Sequence, residues 1–173
     1  MLGWLRRLLG DEVPEGFTGT LVDNEYVLAT ATAEQGPLVA TRLGLWLPEE
    51  AGARRVGWHL ISKATWDNDV LTVIQAEETG QAGDATVIAD LAPKRFPLRH
   101  PGKLPKVVHA RVTASICAKY RKELPGGAAW FVQRSIPGTK TEVLQVRPEP
   151  GVDEFVAAEI AREAAEQLRE EER

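Results

Sequence analysis

The sequence predicts a mainly β protein of the α+β class, in which an antiparallel barrel or bent sheet is closed by an amphipathic helix. Six or seven short apolar runs occupy residues 25–99, with turn-forming residues between them. The apolar residues then take the three- and four-residue spacing of a helix over residues 103–120. A β-hairpin pattern and a long, charged helix over residues 153–173 follow.

Size and composition place the chain among ordinary globular domains. It has 173 residues, of which 43% are hydrophobic and 27% charged. One cysteine and three histidines cannot form an internal disulfide or a Cys/His zinc cluster. The sequence therefore predicts no cofactor, no metal site and the reducing environment of the cytoplasm.

The first ten residues, MLGWLRRLLG, are apolar but too short to span a bilayer, which needs about 20 apolar residues. On a helix their leucines share one face, with Trp4 at its margin and Arg6 and Arg7 to the side. Two interpretations stay open: the segment packs on the protein's own core or stays unfolded, or it lies on a membrane surface. We assign residues 1–24 to this segment and a linker.

The strands are predicted from β-forming runs and from the turns between them. Gly36-Pro37 interrupts the first hairpin, because glycine tolerates positive φ and proline has no amide hydrogen for a ladder. Asp67-Asn68-Asp69 predicts a turn, while residues 62–66 fit either a short edge strand or a bend. Residues 77–83 are polar and predict a flexible loop. The predicted strands are residues 25–32, 37–41, 42–47, 54–61, 70–75, 85–91 and, as a short edge strand, 95–99.

Two helices and one hairpin are predicted after residue 102. The closing helix has an apolar stripe made of Leu104, Val107, Val108, Val112, Ser115 and Ile116, and it also contains Cys117 as a partly buried residue. Residues 128–136 and 141–147 predict the hairpin. In the last helix Asp153 is the expected N-cap, and the apolar line is Phe155, Val156, Ile160, Ala164 and Leu168.

Two stretches, VATRLGLWLP and RRVGWHLISKATWDNDVLTV, resemble the bacterial form of the pleckstrin-homology-like domain. In that domain a bent seven-stranded sheet is closed at one end by a C-terminal helix. The resemblance implies a non-enzymatic module that docks proteins or membranes, and the chain departs from the pattern by its added hairpin and last helix. The whole chain also resembles actinobacterial proteins of similar length, which implies no activity. The residues that match the domain pattern are Thr41, Arg42, Leu43, Leu45, Trp58, Ile61, Leu71 and Val73.

On this basis we expect residues 25–122 to form the barrel with its closing helix. Residues 123–173 then form a hairpin and a helix that pack on the same domain.

Charge is distributed unevenly along the chain. Residues 91–122 contain nine basic residues and no acid, whereas residues 11–50 contain eight acids and one arginine. A basic segment attracts anionic partners such as lipid or nucleic acid. The alternative is that acids of the same chain, or of a second copy, match these charges. The predicted binding residues are Trp4, Arg6, Arg7, Lys94, Arg95, Arg99, Lys103 and Lys106.

Single residues suggest weaker alternatives. His59 is a conceivable general base, but a hydrogen-bonded structural histidine is favoured, because no Ser or Cys nucleophile arrangement is readable beside it. Trp46 and Trp130 fit either core packing or an exposed contact patch. Trp130 and Phe131 are conceivable stacking platforms for single-stranded nucleic acid.

The sequence thus favours a non-enzymatic binding or scaffold module that contacts a protein partner or a second copy of itself. We expect it in the cytoplasm, with peripheral contact to an anionic membrane at the inner face. One alternative is a small enzyme with a pocket around His59. Another is single-stranded nucleic-acid binding through residues 91–122, which the net charge of −4 disfavours.

Overall fold

A computed structural model describes residues 12–173 of the chain. In chain order the elements are β1 (Val27–Ala33), β2 (Gly36–Thr41), β3 (Gly44–Leu47), β4 (Arg54–Gly57), a 3₁₀ helix (Trp58–Leu60), β5 (Ile61–Asp67), β6 (Val70–Ala82), β7 (Ala85–Asp90), β8 (Lys94–Pro97), α1 (Leu104–Ser115), β9 (Ile116–Leu124), β10 (Gly127–Ser135), β11 (Glu142–Pro148) and α2 (Glu154–Glu171). The predicted class, mainly β with helices, is confirmed.

The chain divides into two compact units. The first unit runs to Gln75 and resumes over Ala92–Ala114, and the second contains Ala76–Leu91 and Ser115–Arg173. Strand β6 therefore begins in the first unit and ends in the second.

The first unit contains two sheets. Strands β1 to β4 pair in sequence order as an antiparallel sheet. Strand β5, the first half of β6 and β8 form a curled half-barrel. The turn between β5 and β6 is Asn68-Asp69, with φ angles of 50° and 61°, which are the two left-handed residues that a type I′ hairpin requires. The predicted turn is confirmed.

Both sheets and α1 contribute to one core. The α1 residues Leu104, Val108 and Val112, spaced by four, are 0%, 0% and 7% exposed in this core. They pack with Leu45 and Trp58, among other side chains from the two sheets. The predicted closure of the sheets by an amphipathic helix is confirmed for these three positions.

The closing helix is shorter than predicted. It ends at Ser115, and residues 116–120 belong to strand β9, so Ile116 leaves the helical stripe and Cys117 is exposed on a strand. The cause is the hairpin that β9 forms with β10 around Pro125-Gly126. Gly126 has φ of 87°, which the third position of a type II turn requires after proline.

Two other strand predictions were wrong. The strand predicted over residues 54–61 ends at Gly57, where the 3₁₀ helix begins and residues 61–67 then form β5. Residues 77–82, predicted as a flexible loop, extend β6 and pair with β7. Polar side chains fit there because they are exposed, while Ala82 of the same strand is fully buried.

The second unit contains a mixed sheet. The second half of β6 pairs with β7, and β9, β10 and β11 form an antiparallel meander. The pairing of β7 with β11 is parallel, with Leu144 opposite Ala85, so the expectation of antiparallel pairing throughout was wrong at this point. The predicted hairpin is confirmed as β10 and β11, although β9 precedes it in the same sheet.

Helix α2 packs on the second unit's sheet through alanines. The Asp153 side chain accepts hydrogen bonds from the Phe155 and Val156 amides at 2.9 and 3.1 Å, which confirms the predicted N-cap. The buried line is Ala157, Ala161 and Ala165, whereas Phe155 is 74% exposed. Of the predicted line, Ile160, Ala164 and Leu168 are half-buried against the same core, but Phe155 is not part of it. The fully buried positions are alanines, whose short side chains let the helix backbone approach the sheet closely.

Glu25 is a buried charge in the first unit. Its carboxylate accepts hydrogen bonds from Arg55 Nη1 at 2.6 Å, Thr41 Oγ1 at 2.8 Å, Trp46 Nε1 at 3.2 Å and the Val22 amide at 3.2 Å. Burial alone would raise the pKa of Glu25, but these hydrogen bonds outweigh it and hold the pKa below its ordinary value. One carboxylate therefore links β2, β3 and β4 to the start of β1.

We expect Glu25→Ala to lower the free energy of unfolding by about 3 kcal/mol, because it leaves the buried Thr41 and Trp46 donors unpaired. The matched control is Glu34→Ala on the exposed β1–β2 turn, which should change stability by less than about 0.5 kcal/mol. Urea denaturation measures both. Since the folded pKa of Glu25 is lowered, its contribution is complete above the pKa of the unfolded chain and is lost as the pH falls through the folded value. A difference between wild type and Glu25→Ala that did not shrink in acid would contradict this role.

Candidate binding surfaces

A groove of about 360 Å³ lies between β5 and α1 in the first unit. Its lining residues are Ala64, Thr65 and Trp66 of β5, Leu71 of β6, and Pro105 and His109 of α1. We call it the β5–α1 groove.

The position of Trp66 follows from the strand register. Trp66 is opposite Leu71, and Leu71 is opposite Phe96, so the three side chains share the core face of the half-barrel. Leu71 and Phe96 are 1% and 3% exposed, but Trp66 is 38% exposed. The indole is left partly in solvent because β5 is the outermost strand.

Strand β5 also has an open edge. Within residues 12–173 it pairs with β6 alone, on one side. A groove beside a strand edge suits strand addition, in which an extended peptide pairs with the edge while its side chains enter the groove. Large aromatic side chains such as Trp66 are common anchors of protein contacts.

The charge of Lys94 is matched within the first unit. Lys94 Nζ is 3.2 Å from Glu49 Oε1, and Arg54 Nε is 2.8 Å from the same oxygen. The hydrogen bond from Arg54 is the main cause that lowers the pKa of Glu49; partial burial opposes it, and Lys94 adds to it. For Lys94, the structure supports the alternative of internal charge matching.

The other predicted binding residues lie at several places in the chain. Arg95 follows Lys94 on strand β8 and borders the same shallow cleft. Arg99, Lys103 and Lys106 are exposed at or just before the start of α1. Trp4, Arg6 and Arg7 lie outside the described residues, so their role stays a prediction.

Lys94 and Arg95 also line a shallow cleft of about 600 Å³ with Gln35, Pro48, Glu49, Glu50 and Phe96. Because two acids and two bases line it, this cleft does not select a ligand by its net charge.

Two adjoining clefts lie along α2 in the second unit. The larger, of about 620 Å³, includes Lys140 and is bordered by the ion pair of Asp84 and Arg169 at 2.9 Å. The smaller, of about 220 Å³, lies between α2 and the face of β9 and β10 that carries Tyr120 and Phe131. This surface was not predicted, because the predicted helix over residues 103–120 included part of β9. Pro125-Gly126 between two β-forming runs was the sequence signal for a hairpin there.

His59 belongs to the 3₁₀ helix and is half-buried. Its ring lies over Gly57, where an added Cβ atom would be 2.6 Å from the imidazole. His59 lines none of the four clefts described above.

The tryptophans and their neighbours have distinct environments. Trp46 is 9% exposed and packs edge-on against Phe17 at 5.3 Å, so it is a core residue and not a contact patch. Trp130 lies under Lys119 Nζ at 4.7 Å from the ring centroid. Phe131 is 1% exposed on the opposite face of β10, so Trp130 and Phe131 cannot stack bases together.

Within residues 12–173, no three His, Cys, Asp or Glu side chains are grouped so that they would hold a metal ion. Over the same range, neither helix combines the length and the apolar character needed to cross a bilayer.

No protein-family model, curated protein or solved structure matches this chain. The surfaces described above therefore carry the functional interpretation.

We expect Trp66→Ala to lower the free energy of unfolding by about 1 kcal/mol, because much of the indole is already in solvent. Trp58→Ala is the matched comparison. Trp58 is 2% exposed and donates from Nε1 to the Thr41 carbonyl at 2.9 Å, so its loss should cost about 4 kcal/mol. Urea denaturation followed by circular dichroism measures both variants. Equal losses would show that Trp66 is a core residue.

Proposed function

We propose that the protein is a non-enzymatic binding module of the pleckstrin-homology-like type that acts in the cytoplasm through protein contacts. The observation that carries this proposal is the β5–α1 groove, in which a half-exposed Trp66 stands beside an open strand edge.

The architecture of the first unit supports the pleckstrin-homology-like part of the proposal. Four strands form one sheet, three strands form the half-barrel, and α1 inserts its stripe into their shared core. The matching residues Leu45, Trp58, Ile61, Leu71 and Val73 all belong to that core. A departure from the expected pattern is β7, which lies between β6 and β8 in sequence and belongs to the second unit.

The shape and chemistry of the groove favour a polypeptide ligand. Its lining combines an indole, a proline and a histidine with the small side chains Ala64 and Thr65 of β5 and with Leu71 of β6. Such a surface offers main-chain hydrogen bonds along β5 and one aromatic anchor for a side chain.

A random peptide library selected on the immobilised protein should yield ligands for this groove. We expect Trp66→Ala to weaken the selected peptides by about tenfold or more, because it removes the aromatic anchor. Fluorescence anisotropy measures the affinities. The control is Tyr26→Ala, which removes another exposed aromatic residue of the first unit and should leave binding unchanged. The proposal fails if no peptide is enriched, or if the enriched peptides bind Trp66→Ala as well as wild type.

Membrane contact is a second candidate function, which the charge of α1 favours. This helix contains Lys106 and Arg111 and no acid, and both side chains are exposed. Arg99 and Lys103 precede it, and each basic residue near an anionic surface contributes about 1 kcal/mol of attraction. The N-terminal segment with Trp4, Arg6 and Arg7 would add an apolar contact.

We expect the full chain to sediment with phosphatidylserine-containing vesicles at low salt, and to be released as salt rises, because screening weakens the attraction. Removal of residues 1–10 should reduce the bound fraction, and so should the double change Lys106→Glu and Arg111→Glu. Vesicles of phosphatidylcholine alone are the control. Absence of binding to anionic vesicles at low salt would exclude this candidate.

A further inference from the structure

Strand β9 is the outermost strand of the second unit's sheet. Within the described residues it pairs only with β10. It is 9 residues long, and every side chain from Cys117 to Glu123 is exposed. Its second edge therefore presents a row of main-chain groups along an accessible strand.

One face of β9 borders an apolar groove. Tyr120 is opposite Phe131 in the ladder, and the two rings stack at 5.1 Å with an interplanar angle of 7°. The apolar part of the lining of this cleft, of about 220 Å³, consists of the two rings with Ala118, Leu144, Ala164 and Leu168, and its polar part of Gln133, Gln167 and Glu171. Helix α2 packs over β7 and β11, so it leaves the β9 side of the groove uncovered.

The opposite face of β9 carries two cations and one acid. Lys119, Arg121 and Glu123 alternate with Tyr120 and Lys122, so they project away from the groove. Lys119 lies over the Trp130 ring, whereas Arg121 is ion-paired with Glu149 at 3.1 Å and with Glu123 at 3.2 Å. The charge of Arg121 is therefore matched within the second unit, and Lys119 is the cation that this face offers to a ligand.

A second copy of the chain is a poor occupant of this edge. Antiparallel pairing of two β9 strands would bring the basic residues Lys119, Arg121 and Lys122 of both copies close together. Like charges across a ladder are destabilising, and lysines on edge strands oppose self-pairing. A peptide with acidic side chains avoids this repulsion between like charges.

We propose that β9 binds an extended peptide in which apolar and acidic residues alternate. The peptide adds as a strand to the open edge. Its apolar side chains enter the groove beside Tyr120, and its acidic side chains lie along Lys119. Alternation follows from the two faces of a strand, since neighbouring side chains point in opposite directions. This surface shares no residue with the β5–α1 groove, so the proposal does not depend on that function.

The test uses a fluorescein-labelled peptide of glutamates alternating with valines around a central phenylalanine, and measures anisotropy with the full chain. An isomer with its acidic residues grouped at one end has the same charge without the alternation. Two further peptides carry N-methyl groups on alternate backbone nitrogens. One peptide is methylated at its odd-numbered residues and the other at its even-numbered residues. Only one set of amides points to β9, so we expect one methylated peptide to lose binding by about tenfold or more while the other binds as before.

Variants of the protein complete the test. Tyr120→Ser and Lys119→Glu should each weaken binding by about tenfold, through the groove and through the charge respectively. Lys140→Glu, the same charge change on the exposed β10–β11 loop, is the control and should leave binding unchanged. Circular dichroism checks that each variant is folded. If Tyr120→Ser unfolds, Lys119→Glu and the two N-methylated peptides still test the proposal.

Three results would overturn the proposal. Equal binding of the grouped isomer would show simple charge attraction. Equal behaviour of the two methylated peptides would exclude strand addition. Concentration-dependent dimerisation that Lys119→Glu changes would assign the edge to a second copy of the chain.

Discussion

The buried carboxylate of Glu25 is the constraint on which the first unit depends. An ionised group removed from water costs several kcal/mol unless donors surround it, and here they come from β2, β3, β4 and the loop before β1. A shift of any of these strands by one residue would turn Thr41, Trp46 or Arg55 to the other face. The ion pair therefore selects the same register that directs Leu45 and Leu47 into the core.

Local chemistry was the predictable part of the fold. The Asn68-Asp69 turn depends on residues that tolerate positive φ, and the Asp153 cap depends on a side chain that accepts bonds from neighbouring amides, so the sequence around each is sufficient. Strand β9 was not predictable in this way. Its residues ICAKY fit a helical stripe and a strand equally, and the ladder with β10, which a nearby turn makes possible, decides between them.

The binding surfaces were less predictable, because they depend on contacts distant in sequence. Lys94 was expected in a basic patch, but Glu49, which lies 45 positions earlier, neutralises it. The exposure of Trp66 depends on β5 being the outermost strand, a property of topology that composition does not reveal.

Both surfaces lie at strand edges, and the way each unit forms its core explains this. Helix α1 occupies the inner face of the first unit's sheets, and α2 covers the middle of the second unit's sheet, so the outermost strands keep accessible main-chain groups. An open edge is normally an aggregation hazard, which cations prevent by repelling an identical strand. On β9, Lys119 stands on the face opposite the groove and Lys122 on the groove face, so both cations lie along the open edge. The same charges that oppose a second β9 then favour an acidic strand.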